Sequence, residues 1–367
     1  MTDSSKSAAA PAPSAAPAPS AATAPAAAPF EVPKPTFTWM HKTKQWGVRV
    51  KPNKKGLTLG ALNVGVYGEI PDYWEDQTRM PRGSVARAGV PPIGYAVRAK
   101  HELWADSAAD LYEEAIQRRW IPATDVDWNS IEQLPDDVET AMCQLCTEIC
   151  HYANTEIEAI SIWQDKMAYG YHEVKMYLAT NSFDCARTFE AFRKRALVNG
   201  GGMGLESKGD VNRMILESRG GWTETLAYLY LMRGTLTLTL MRHGMLFAHN
   251  DAERTLFSHS IQDAARHLVY ALDHMRYAVT HQDDQALILQ TVLAVGESIY
   301  ARELKDPALR ESLAILYGGG IEGARGDGMK KALSVFRDWL NYYLECCDYI
   351  GVPRRATLHP ALGKYIA

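Results

Sequence analysis

Two segments of the chain, 79 residues apart, carry the same pattern of charge. One reads Asp184-Cys185-Ala186-Arg187, the other Asp263-Ala264-Ala265-Arg266. Each sits in a long run at helical spacing, and each of those runs follows another. A repeated pair of amphipathic helices cannot bury its apolar faces alone, so the two hairpins are expected to close into a four-helix bundle. Pro135-Asp136-Asp137 opens the first run: proline suits the first turn, and the acids suit the positive end of the helix dipole. Val138, Met142, Leu145, Ile149, Ile157 and Ile160 then recur at helical spacing. The spacing predicts further helices over 171–197, 222–247 and 252–279, with outlying ones over 105–120, 285–302 and 328–349. Almost no segment alternates with period two. The expected fold is all-α, with a four-helix bundle core and extra helices.

Outside this body the composition changes. Residues 1–30 are rich in Ala and Pro and carry no charge after Lys6, which predicts a disordered tail. Residues 31–100 hold Pro33, Pro35, Pro52, Pro71, Pro81, Pro91 and Pro92. Trp39, Trp46, Tyr67, Tyr73 and Trp74 fall between them. They read as an irregular arm that lays its aromatics on the larger body. Residues 101–350 form the helical domain and 351–367 a C-terminal extension. The glycines of 200–204 and 318–320 lack the Gly-Lys-Ser/Thr of a phosphate loop and read as helix terminators.

The charge balance excludes some functions. Lys plus Arg is 39 against 43 Asp plus Glu, and no basic excess marks a nucleic-acid surface. No window approaches the length of a membrane-spanning helix. Nothing N-terminal looks secretory, so the expected location is the cytoplasm, with all six cysteines reduced. Cys143-x-x-Cys146 invites a zinc reading, but no second ligand pair is suitably spaced. Positions 143, 146 and 150 share one helical face, which favours buried structural thiols.

The stretch from Tyr177 to Arg195, with Phe183-Asp-Cys-Ala-Arg-Thr188 at its centre, resembles the third bundle helix of ferritin-like diiron carboxylate proteins. These are of the oxygenase and ribonucleotide-reductase-small-subunit type, whose usual string is Asp-Glu-x-Arg-His. Asp263-Ala-Ala-Arg-His267 resembles a second copy. The resemblance covers roughly residues 130–282. It implies a ferritin-like bundle in which two Glu-x-x-His pairs, plus a Glu from each remaining helix, hold two irons that activate dioxygen.

Carried over position by position, most of those ligands are replaced. The first Glu-x-x-His becomes Cys185 and Thr188, and the second becomes Ala264 and His267. The lone carboxylate of the first half falls at Thr155 or Glu156, and that of the second near Arg233-Gly234. Asp184, Arg187, Asp263 and Arg266 keep the outer positions and are expected to pair across the helices. Arg233, if it points into the bundle, would compensate Glu156 where metal once did. Glu148-x-x-His151 is a further ligand string on the same helix as Glu156, without a matching copy. Glu156, Cys185 and His267 together form a candidate set for one metal ion.

The resemblance therefore implies a non-catalytic accessory or scaffold subunit with an eroded dimetal site and no cofactor. Its expected partners are copies of itself or a catalytic ferritin-like relative. The alternative is an oxygen-activating enzyme with dinuclear iron, using shifted ligands such as Glu148, His151, Glu156, Glu158 and His267.

Overall fold

The computed structural model describes residues 31–42, 48–75, 82–85 and 87–366. The expected tail, residues 1–30, lies outside the described residues. The chain divides after Lys44 into two units. In the first, the described residues hold one 3₁₀ turn, Thr38–Lys42. The second contains all the α-helices, and the expected boundary near residue 100 falls inside it.

Its helices are α1 (Ala108–Gln117), α2 (Asp136–Gln164), α3 (His172–Val198) and α4 (Asp210–Glu217). Next, α5 (Trp222–Leu226) runs through a π-helical segment (Ala227–Gly234) into α6 (Thr235–Phe247). Then come α7 (Asp251–His281), α8 (Gln285–Glu303), α9 (Ala308–Gly318), α10 (Ile321–Gly323), α11 (Met329–Tyr349) and α12 (Pro360–Gly363). No strand occurs among the described residues, only isolated bridges such as Tyr73 with Ala99. No helix among them is long and apolar enough to cross a membrane.

The fold is a ferritin-like four-helix bundle with extra helices. Its core members are α2, α3, the α5–α6 helix and α7. One small cavity is lined from all four, by Glu156, Cys185, Thr237 and His267 among others. Local signals set the boundaries. The side chain of Asn250 accepts a hydrogen bond from the backbone of Glu253, which caps the start of α7. Gly319, at φ 68°, ends α9 in the left-handed conformation that glycine adopts without strain.

Buried charges tie the bundle at one end. Arg195 of α3 donates to Glu139 of α2 (Nη1, 2.6 Å) and to Glu253 of α7 (Nε, 2.7 Å). Of helical structure, the described residues of 48–100 hold only short 3₁₀ turns, and they are pinned by polar contacts. Arg82 is buried and pairs with Glu173 at the start of α3, and it donates to the carbonyl of Gly170 at 2.7 Å. Asn63 donates to the same Glu173 at 2.9 Å. The C-terminal extension is held similarly: Arg354 donates from Nε and Nη2 to Glu297 of α8, both at 2.9 Å. All six cysteines are buried free thiols.

Candidate metal centre

The α3 face turned to the bundle centre carries Tyr177, Asn181, Asp184, Cys185 and Thr188, all buried. This is the i, i+4, i+7, i+8, i+11 stripe of one helical side. Facing it, α7 presents Asp263, Ala264 and His267, and α2 presents Tyr152 and Glu156. The sulfur of Cys185, a carboxylate oxygen of Glu156 and a ring nitrogen of His267 all lie within 4.8 Å of one another. Thr188 and Ala264 line the same cavity, which has a volume of about 20 Å³.

These groups are already engaged. His267 Nδ1 lies 2.8 Å from Glu156 Oε1, and its Nε2 lies 3.5 Å from Asp184 Oδ2. Burial alone would lower the pKa of His267, but Glu156 and then Asp184 outweigh it and push the imidazole up to about 9. Burial, reinforced by Glu156, pushes the Cys185 thiol well above its ordinary range. That thiol donates to Asn181 Oδ1 at 3.5 Å. Asn181 in turn donates to Tyr230 OH (2.8 Å), which donates to Glu156 (2.6 Å).

Around this centre the four repeated charges close into one quartet. Arg187 Nη2 donates to Asp184 (2.5 Å) and to Asp263 (2.6 Å). Arg266 Nη2 donates to Asp184 (2.8 Å) and also to Asp263. Trp120 Nε1 donates to Asp263 at 2.8 Å. Burial works against ionisation of Asp184, but His267 and the two arginines hold it below the usual carboxylate range.

Arg233 requires a correction. It is buried, yet it turns away from Glu156 toward α8. Its Nε donates to Tyr300 OH at 3.1 Å, and its guanidinium lies 4.0 Å over the ring of Tyr152. The helix presents Tyr230, Thr237 and Met241 to the centre instead. The cause is the π segment, whose i→i+5 hydrogen bonds change the rotation per residue. A ligand register counted at the α period therefore slips across it.

The shifted ligand set does not converge either. Glu148 lies elsewhere, in a cavity of about 290 Å³ shared with Tyr152, Tyr300 and Glu303. Burial pushes its carboxyl up to about 7 despite the opposing pull of Arg233. His151 keeps its Nδ1 buried without a hydrogen-bond partner. Glu158 is exposed and accepts from Asn154 at 3.1 Å. Tyr230 and Asn181 escaped the sequence reading. The only signal for Asn181 was its place four residues before Cys185.

No protein-family model matches the chain, and no curated protein matches it in sequence. Among solved structures it is similar to R2-like ligand-binding oxidases. A point variant with aerobically reconstituted Mn/Fe cofactor is 14% identical, with a TM-score of 0.49, over 65% of this chain and 92% of that one. A second such oxidase, also with Mn/Fe cofactor, is 14% identical with a TM-score of 0.47, over 72% of this chain and 94% of its own. The expectation of no cofactor is corrected at this point. This chain brings three metal-donor atoms together at its bundle centre.

The donors do not suit a metal pair. Two ions of charge two or more need several carboxylates to balance them, and Glu156 is the only carboxylate among the six positions. Thr188 and Ala264 offer no anionic donor, and Arg233 points elsewhere. A buried excess of positive charge costs several kcal/mol per ion.

Proposed function

We propose that this chain is an accessory or scaffold subunit built on the ferritin-like bundle, one that does not run dinuclear oxygen chemistry. The observation that carries this reading is the donor set of the bundle centre. One carboxylate stands where a pair of metals requires several, and that carboxylate already takes Tyr230 and His267. A helical body with large apolar side chains exposed on the 31–42 segment suits docking to another chain. Phe37 and Trp39 there are 59% and 61% exposed. The partner of this reading is a second ferritin-like chain, identical or catalytic.

The test is dioxygen uptake by the full chain after anaerobic loading with Fe²⁺, with Mn²⁺ and with both. The expected result is no uptake above the metal-only blank, and co-purification of a catalytic ferritin-like chain from the native host. Stoichiometric dioxygen consumption, with two metal ions per chain and an oxo-bridge absorption band, would replace this reading by an oxidase.

A further inference from the structure

We infer that the bundle centre is a site for one divalent metal ion of the zinc class, held by Glu156, Cys185 and His267. This rests on the reading above that no dinuclear centre assembles here, and it gives the site a ligand chemistry that differs from a two-metal carboxylate cage.

Geometry supplies the first argument. The three donors come from three helices, α2, α3 and α7, and lie within 4.8 Å of one another. Around a tetrahedral zinc, ligand atoms stand roughly 3.3–3.8 Å apart, as bond lengths of about 2.0–2.3 Å require. The difference to be closed is roughly 1 Å or a little more between donor atoms. The cavity between them, about 20 Å³, has room for a single water in a fourth position. The hydroxyl-bearing Thr188 and Thr237 line it.

Charge supplies the second. A divalent ion with one carboxylate and one thiolate is neutral, which a buried site can hold. Two ions on the same donors would leave a large positive excess. The donor types agree: thiolate, imidazole and carboxylate together suit zinc better than hard oxygen-seeking cations.

Orientation supplies the third. His267 turns Nδ1 toward Glu156 and Nε2 toward Asp184, 3.5 Å away. Asp184 is fixed in turn by Arg187 and Arg266. Nε2 makes no hydrogen bond at that distance, but a carboxylate placed behind the far ring nitrogen is the arrangement that orients a ligating histidine. Glu156, whose side chain is 17% exposed, is the least buried of the three.

The competing account is a buried Glu156–His267 pair beside an inert thiol, and cobalt separates the two. The full chain, stripped with chelator, is titrated with Co²⁺. The expected result is one ion per chain, with the thiolate-to-cobalt absorption of a tetrahedral site, displaced by Zn²⁺. Cys185→Ala should abolish that absorption, and His267→Ala should weaken Co²⁺ binding at least ten-fold, whereas Cys346→Ala should change neither. If Cys185→Ala loses its helical circular dichroism, the near-isosteric Cys185→Ser carries the same test. Absence of saturable uptake, or a thiolate band that survives loss of Cys185, overturns the inference. No uptake together with no dioxygen consumption overturns this inference alone. Two ions per chain with dioxygen consumption overturns the proposed function as well.

Discussion

Tyr230 and Glu156 meet across the bundle, the phenol donating to the carboxylate at 2.6 Å from a helix that was expected to present Arg233 there. Tyr230 also accepts from Asn181 at 2.8 Å, so one hydroxyl links α2, α3 and the π segment. Replacing it by Phe leaves a buried amide donor unpaired and removes one donor from Glu156. Tyr230→Phe should cost about 1–3 kcal/mol in urea unfolding. It should also tighten Co²⁺ binding, because Glu156 is released from a competing hydrogen bond. A variant as stable as the parent would mean that water substitutes for the phenol.

The helices were readable because apolar spacing is a local property of the sequence. The repeat at Asp184 and Asp263 set four charges in matching register, although their closure into one quartet depends on how α3 and α7 pack. Arg233 was misread for a definite reason. The π segment at 227–234 shifts the face that each residue presents, and no residue pattern announces such a segment. The buried Arg82–Glu173 contact was equally hidden, since its partners are 91 residues apart and Arg82 lies in a region without periodicity. Glu148 and His151 show the reverse case: a ligand string with correct spacing that joins no cluster of three metal donors among the described residues.

Among the described residues, Arg233 is a buried cation with no carboxylate in hydrogen-bond contact. Only its Nε is bonded, while Nη1 and Nη2 are buried without partners. Burying a charge with so little compensation costs stability, and an apolar residue of similar length removes that cost. Arg233→Met should therefore unfold at the same or a higher urea concentration than the parent. Arg233→Ala should be less stable than Arg233→Met, because it leaves a cavity beneath Tyr152 and Tyr300. A loss of about 3 kcal/mol or more in Arg233→Met would show instead that the guanidinium neutralises Glu148.

Two buried groups set opposite pH slopes. Burial holds His274 down to about 4 from an ordinary 6.5, and its ring bonds Trp104 O (3.0 Å) and Thr223 (2.9 Å). Its folded value is depressed, so the unfolded chain binds the extra proton and stability falls as pH drops from 6.5 toward 4. Glu148 is raised from 4.5 to about 7, so the folded chain keeps the proton and stability falls as pH rises through that window. Each amounts to roughly 3 kcal/mol at the far end of its window. Between pH 4.5 and 6.5 the two slopes oppose each other. Relative to the parent, Glu148→Gln should gain stability as pH rises across that interval, and His274→Gln should lose it. Parallel pH profiles for the two variants in chemical denaturation would contradict both assignments.

The quartet of Asp184, Arg187, Asp263 and Arg266 offers a test of how its charges are shared. Asp263 accepts from both arginines and from Trp120, and Asp184 accepts from both arginines. Asp263→Asn removes one of two negative charges facing two guanidiniums. It should cost about 3–5 kcal/mol, the usual penalty for an uncompensated buried charge. Arg187 already has Nε and Nη1 buried without partners, as does Arg266. Removing Arg187 together with the Asp263 charge leaves one balanced pair, Arg266 with Asp184, and discards two orphaned donors. The double variant Asp263→Asn, Arg187→Met should therefore be more stable than Asp263→Asn alone. The coupling, read from urea unfolding of both single variants and the double, should be on the order of 2 kcal/mol. Additive losses would mean that each aspartate serves its own arginine and that the shared hydrogen bonds contribute no net stability.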